Sequence, residues 1–312
     1  MILVAGGTGL LGTQIVRLLL ARGLRVRVLT RDAHRAEHLG TDGLEIVTGD
    51  VRDAPSLAPA MAGIRAVVSA IHGFAGPGGV SPSTVDYLGN RNLICAAEAG
   101  GASHFVLMSI VGAAPDHPME LVRMKYRAEQ LLRGSSLAWT IIRATAYMEL
   151  WASMIGAPIL RNGKTTIFGS GENPINFVSA HDVARFVEMS IVDPNLRGAA
   201  IDVGGPDNLT FKQMVQVFER LAGRESAASH VPLPVMRLAS ALMRPLKPEL
   251  ARQIQAGVVM DTYNMRFDAA ETCRRYPAIP LTSLDEMVKR DFVPARVPIG
   301  SLPSESEGLR RS

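Results

Sequence analysis

The run Ile2-Leu3-Val4-Ala5-Gly6-Gly7-Thr8-Gly9-Leu10-Leu11-Gly12 constrains this chain more than any other. Four apolar residues suit a strand buried on both faces, and Ile15, Val16, Leu18, Leu19 and Leu20 supply the apolar side of a following helix. No spare residue separates strand, glycine turn and helix. A glycine at the tight turn opens backbone conformations closed to other residues, while Gly9 and Gly12 let the helix end approach a phosphate and the sheet. The unpaired amides of the first turn and the helix dipole then suit the pyrophosphate of a dinucleotide. Gly6, Thr8, Gly9, Leu10, Leu11 and Gly12 are therefore candidate cofactor contacts. The spacing Gly6-x-x-Gly9-x-x-Gly12 differs from the G-x-G-x-x-G of ordinary dinucleotide folds, so the strand-before, helix-after context carries the reading.

The remainder continues the same alternation. Arg25 to Thr30 reads as a second strand with Val26 and Val28 on its buried side, and Leu44 to Val47 as a third. A short helix around Ser56 to Met61 precedes a fourth strand, Ala66 to Ala70. A long helix over 83–99 presents Val85, Leu88, Leu93 and Ala96 or Ala97 to the sheet, and leaves Cys95 as a packed core residue. His104 to Ser109 and Ala138 to Arg143 read as the fifth and sixth strands, flanking a helix over 118–133. This pattern predicts an α/β fold, a Rossmann-type doubly wound parallel sheet over residues 1–145.

Beyond Thr145 the rhythm changes. Tyr147 to Ile155 reads as helical and Thr165 to Phe168 as extended. Ser179 caps a helix reaching Ile191, with Asp182 at capping-box spacing, which makes His181 structural. Ala200 to Val203 is a further strand, Thr210 caps a helix to Leu221, and helices over 234–259 break near Pro245 and Pro248. Residues 146–293 thus form a smaller, less regular C-terminal substrate lobe interleaved with the first domain. The Pro-, Ser- and charge-rich stretch over 294–312 is expected to be disordered.

Strand ends locate the ligand side. At Thr30-Arg31-Asp32, an arginine accommodates the extra phosphate of NADP, whereas an acid takes the ribose hydroxyls of NAD. Arg31, with Arg35 in support, points to NADP (NADPH); Asp32 keeps NAD open. Asp50 and Val51 leave the third strand beside an adenine pocket, where Asp50 also suits a loop cap. Ala70 and His72 leave the fourth strand beside the nicotinamide. His72 and Tyr147 lie where a proton donor would, or where a packed, hydrogen-bonded side chain would.

Bulk properties remove other classes. Lys and Arg number 33 against 29 Asp and Glu, an excess too small and dispersed for a nucleic-acid partner. No run reaches the roughly 18 apolar residues of a membrane span, Val231 to Met243 coming nearest. The opening strand leaves no room for a leader, and two cysteines, Cys95 and Cys273, fit a reducing cytosol, so a cytoplasmic location is expected. No metal site is expected.

Several segments resemble a known group. Gly6 to Gly12, Val28-Leu29-Thr30-Arg31, Gly49-Asp50, Phe105 to Ser109, Lys125 with Glu129, and Thr140 to Arg143 are similar to atypical short-chain dehydrogenase/reductases. The NmrA-like and isoflavone-reductase-like NAD(P)-binding proteins fit in particular. Phe177 to Ala184 and Gly204-Gly205-Pro206 extend the resemblance over most of residues 1–223. It implies that Lys125 binds the ribose and assists proton transfer, and that Ser109 orients substrate. The wider superfamily places Tyr four residues before its Lys, so that both share one helix face. Here that position is Leu121, and Tyr126 points about 100° round the helix.

Lys125, Ser109 and Tyr147 are accordingly the catalytic candidates of an NADPH-dependent oxidoreductase acting on an apolar or quinone-like small molecule. Leu150, Trp151, Met154 and the segment from Val231 to Met243 are the expected pocket wall. The alternative implied by the missing Tyr is a non-catalytic NmrA-like regulator that senses NAD(P) and contacts a protein partner.

Overall fold

The computed structural model describes residues 1–293 apart from Thr41, Ala75, Pro77 and Gly78. The expected run over 294–312 lies outside the described residues.

The first half alternates strand and helix, with a 3₁₀ turn, Ala33–Leu39, in place of a helix between its second and third strands. β1 (Ile2–Ala5), α1 (Leu10–Ala21), β2 (Val26–Thr30), β3 (Leu44–Thr48), α2 (Ala58–Met61) and β4 (Ala66–Ser69) lead to α3 (Leu88–Ala99) and β5 (His104–Ile110). α4 (Glu120–Arg133) and β6 (Ala138–Ala144) complete this part. Then follow β7 (Ala146–Tyr147), α5 (Met148–Trp151), α6 (Ala157–Asn162), β8 (Lys164–Phe168), β9 (Ile175–Val178) and α7 (Ala180–Val192). β10 (Ala199–Val203) returns to the main sheet before β11 (Asn208–Leu209), α8 (Phe211–Ala222) and β12 (Ala227–Val231). The described chain closes with α9 (Leu233–Met243), α10 (Pro248–Thr262), α11 (Ala270–Arg275) and α12 (Leu284–Phe292).

Seven parallel strands stand in the order β10-β6-β5-β4-β1-β2-β3. The chain leaves β1 toward β2 and β3, then crosses back to set β4 on the other side of β1. That reversal opens a crevice at the carboxyl ends of β1 and β4, where open α/β sheets bind ligands. Strand periodicity divides the core between two faces. Val4, Val28, Val68 and Val106 pack against Ile15, Val16 and Leu19 of α1 and Val183 and Val187 of α7. Leu3, Val67, Phe105 and Leu107 pack against Leu93 and Ala97 of α3 and Ala128 and Leu132 of α4. A third cluster around Phe177, Phe211, Met214 and Phe218 joins α5, α8 and α12 apart from the sheet.

Four local expectations change. The helix over 83–99 starts as a π-helical turn, Pro82–Tyr87, whose first amides Ser81 and Thr84 cap reciprocally. The helix from Tyr147 breaks at a second π-helical turn, Ala152–Gly156, where the missing Cβ of Gly156 admits the Phe218 ring. Cys95 is exposed rather than packed, since Leu93, Ile94 and Ala97 take the inward face of α3. Asp182 does not close a capping box: Ser179 accepts from the His181 amide, while the Asp182 carboxylate accepts from the amide and hydroxyl of Thr282.

No helix among the described residues is long and apolar enough to cross a membrane. The apolar stretch from Val231 is split instead between the end of β12, paired with β8, and α9, packed on α10.

Candidate functional site

A cavity of about 470 Å³ opens at the carboxyl ends of the central strands, reaching from Arg31 and Asp50 past the glycine turn to His72. Its floor depends on absent side chains. Gly6 has φ +84°, and a Cβ there would lie 2.6 Å from the Ala70 carbonyl oxygen. A Cβ on Gly12 would lie 2.0 Å from the Gly6 oxygen. Both glycines are thus demanded by the protein's own packing. Gly9 is different. It is the N-cap of α1 at φ −87° and ψ 176°, with no side-chain cap, and a Cβ there would meet only the Gly6 oxygen at 3.4 Å. The following amides of Leu10, Leu11 and Gly12 have no acceptor within the helix. An anion seated there would satisfy donors that the fold leaves open, so the turn fits a pyrophosphate.

The β2 end supplies charge. Arg31 and Arg35 line the cavity, and neither makes an ion pair among the described residues. Asp32 lines it too, but its carboxylate accepts the His34 amide at 3.0 Å and caps the 3₁₀ turn Ala33–Leu39. The acid that kept NAD open is thus partly committed to its own backbone. At the β3 end Asp50 and Val51 line the cavity. Arg52 bonds both oxygens of Asp50, the shorter contact 2.6 Å, and this holds the carboxyl below its usual range despite an opposing effect of burial. Asn92 donates to the Val51 carbonyl at 2.9 Å and fixes that loop against α3.

The β4 end carries a buried ionic group. The Ala70 amide donates to the Ala5 carbonyl and continues the sheet register to the cavity wall. Lys125, buried on α4, donates to the Ile71 carbonyl at 3.1 Å, and its Nζ lies 3.0 Å from Asp86 Oδ1. Asp86 is fully buried, its other oxygen accepting the Gly73 amide at 2.9 Å. Burial pushes the Asp86 carboxyl up, but Lys125 and then His72 outweigh it and hold it below its ordinary value. Asn90 bonds the Asp86 carbonyl and accepts from Ser69, tying this acid to the end of β4. The His72 side chain is 54% exposed, its Nδ1 3.7 Å from the same Asp86 oxygen.

Ser109 and Tyr147 do not line this cavity. Ser109 donates at 2.5 Å to Glu129, a fully buried carboxylate that also takes two bonds from Arg143. Burial, aided by Glu149, pushes the Tyr147 phenol above its ordinary value. Leu121 is buried in the helix turn before Lys125, so no hydroxyl stands in the place of the superfamily's Tyr. Leu150, Trp151 and Met154 are also absent from the wall: Leu150 and Met154 are exposed, and Trp151 packs on Phe211.

Sequence reading missed Asp86, Arg52 and Glu129 as partners. Asp86 carried a signal, an acid beside Val85 on the face turned toward the sheet, where an ion needs a counter-charge. Glu129 stands one helical turn after Lys125 in sequence, but nothing local marks Ser109 as its partner.

Comparison with known proteins accords with this geometry. The NAD(P)H-binding family model matches residues 6–194. The chain is 31% identical to the NAD(P)H azoreductase of Xenophilus azovorans over 72% of this chain and 74% of that protein. It is 32% identical to the photosystem II assembly factor Ycf39 of a Synechocystis strain over 78% of this chain and 74% of that protein. Its fold is similar to an NADPH-dependent quinone oxidoreductase from Escherichia coli complexed with NADPH, with a TM-score of 0.75 and 20% identity, covering 94% of this chain and all of that one. The chain belongs to the NAD(P)H-binding family, on the fold of the atypical short-chain dehydrogenase/reductases.

Proposed function

We propose that this protein is an NADPH-dependent oxidoreductase that reduces an apolar, quinone-like or azo-like small molecule. The observation that carries the reading is one cavity joining the cationic Arg31 and Arg35 end, through the glycine turn, to a half-exposed imidazole above a buried ion pair. When bound, the cofactor supplies a hydride. The chain's residues do the rest. The amides of Leu10, Leu11 and Gly12 take the pyrophosphate, Arg31 and Arg35 the 2′-phosphate, and Asp50 and Val51 border the adenine. Gly6 and Thr8 shape the turn, and Ala70 and His72 flank the nicotinamide. Lys125 acts through the ion pair and the Ile71 carbonyl, positioning the wall. Ser109 and Tyr147, proposed from sequence as catalytic, serve the scaffold in this reading: one is committed to Glu129 and the other is a weakened acid.

The similarity to the azoreductase, and the likeness of fold to the quinone oxidoreductase, support this substrate class. Purified protein mixed with NADPH and a panel of quinones, enones and azo dyes tests it, with nicotinamide absorbance as the signal and Lys125→Ala as control. Consumption of NADPH that requires an acceptor supports the reading; tight NADPH binding without turnover contradicts it. That second result favours a nucleotide-sensing regulator with a protein partner, a reading supported by Leu121 and by the similarity to an assembly factor.

A further inference from the structure

Hydride addition to a quinone, enone or azo group leaves negative charge on an oxygen or nitrogen, and a proton must arrive there. The superfamily's usual donor is missing at Leu121. Among the other candidates, Lys125 is only 6% exposed and spends its ammonium on Asp86 and the Ile71 carbonyl. Ser109 gives its hydroxyl proton to Glu129, and Tyr147 is pushed toward weaker acidity. His72 alone of this set lines the cavity with its side chain half exposed.

Behind His72 stands an acceptor that the fold leaves unsatisfied. Asp86 Oδ1 is buried and accepts no well-aligned hydrogen bond, although Lys125 Nζ is 3.0 Å away and His72 Nδ1 is 3.7 Å away. A small approach of the ring would bring Nδ1–H into hydrogen-bond range, and such contacts commonly tighten only with substrate present. The ring stacks on Phe74 with centroids 5.9 Å apart, which limits its rotation. Asp86 faces it from the turn before α3 and Lys125 from α4. From α10, Arg252 bonds the carbonyls of Phe74 and Val80 in the adjoining loop.

We infer that His72, Asp86 and Lys125 form a proton-delivery site in which His72 Nε2 protonates the heteroatom of a conjugated carbonyl or azo acceptor. The inference rests on the reductase reading. One hydride, carrying both electrons, comes from the reduced nicotinamide cofactor, and it leaves an anion on the acceptor's oxygen or nitrogen. The imidazolium Nε2–H bond breaks as the new O–H or N–H bond forms. Neutral His72 then regains a proton from water through its exposed edge. Asp86 is a positioning residue: it holds Nδ1–H and so aims Nε2 into the cavity. Lys125 holds Asp86 in place.

Two measurements test this. In ¹⁵N-histidine-labelled protein with NADPH bound, the His72 Nδ1 proton is expected to resonate downfield as a hydrogen-bonded proton, and to lose that shift in Asp86→Asn. In kinetics at saturating NADPH, His72→Ala is expected to lower turnover about a hundredfold. Added imidazole should restore part of the rate. A His72 Nδ1 proton resonance that is the same in wild type and Asp86→Asn overturns the proposal. So does a His72→Ala rate that matches wild type, and this arm stands if the buried-site variant fails to fold. Absence of turnover in wild type with every acceptor overturns the reductase reading and the proton's use with it, whereas turnover indifferent to His72 overturns this proposal alone.

Discussion

Lys125 Nζ stands 3.0 Å from Asp86 Oδ1, with Asp86 fully buried and Lys125 nearly so. Two helical segments, one ending in α3 and the other in α4, thereby meet under the cavity wall. Neither charge has water to fall back on, so each depends on the other. Removing one partner strands a buried ion, at a cost of about 3–5 kcal/mol. Lys125→Ala should therefore destabilise the protein by about that much in urea unfolding, while the double variant Lys125→Ala/Asp86→Asn should lose clearly less than the sum of the singles. Additive losses would show that the pair is not energetically coupled.

The glycine turn separates folding from binding. Gly12→Ala places a methyl 2.0 Å from a backbone oxygen, an overlap that no rotamer relieves. It should cost about 3 kcal/mol or more of stability. Gly9→Ala fits its backbone angles and meets nothing closer than 3.4 Å. Its stability should stay within about 1 kcal/mol of wild type. Its methyl points where a phosphate approaches, so NADPH affinity should fall about tenfold, roughly 1.4 kcal/mol. Thermal melts and fluorescence titration of the two variants check the contrast.

The phosphate assignment predicts a difference between cofactors. A charge-assisted hydrogen bond contributes about 1.5–3 kcal/mol, and Arg31 has no ion-pair partner to release among the described residues. Arg31→Ala should weaken NADPH binding at least tenfold more than NADH binding. Equal losses for the two cofactors in parallel titrations would remove Arg31 from the 2′-phosphate.

His104 sets a pH dependence far from the cavity. Its Nε2 is 3.0 Å from Thr140 Oγ1, and Thr140 gives its own proton to the Leu196 carbonyl, so the neutral ring donates from Nε2. Burial, with a smaller effect from Arg197, lowers its pKa from 6.5 to about 4. The unfolded chain then binds the proton between those values and the folded chain does not. Stability is fully present above about pH 6.5, declines as pH falls, and reaches its full loss of about 3 kcal/mol below about pH 4. Urea unfolding across that window should show the decline, and His104→Gln should remove most of His104's share.

The sheet was legible because its signal is local. Ile2 to Ala5, Ala66 to Ser69 and His104 to Ser109 are short apolar runs between turn residues, and each stands where its pattern placed it. The glycine turn was legible for a related reason: Gly6, Gly9 and Gly12 stand between a strand and a helix, as their spacing implied. The ionic group under the β4 exit was not, because Asp86 and Lys125 become partners only when two helical segments dock on one sheet face. Exposure misled twice. Cys95 sits among apolar neighbours yet faces solvent, and Leu150 and Met154 are apolar yet lie outside the cavity. The helix break at Gly156 depends on Phe218, a residue too distant for any local pattern to report.

The most direct test of the central claim is transfer of the hydride itself. NADPH carrying deuterium at its transferable position is incubated with the protein and an enone or quinone acceptor, and the product is read by mass spectrometry. With an enone, the account predicts one deuterium on a carbon of the reduced product; with either acceptor it predicts matching consumption of NADPH. It also predicts that both signals fall, to about half, in Gly9→Ala at an NADPH concentration about ten times the wild-type Kd. Reduced enone without deuterium, or deuterated NADPH recovered intact beside every acceptor tried, would contradict it.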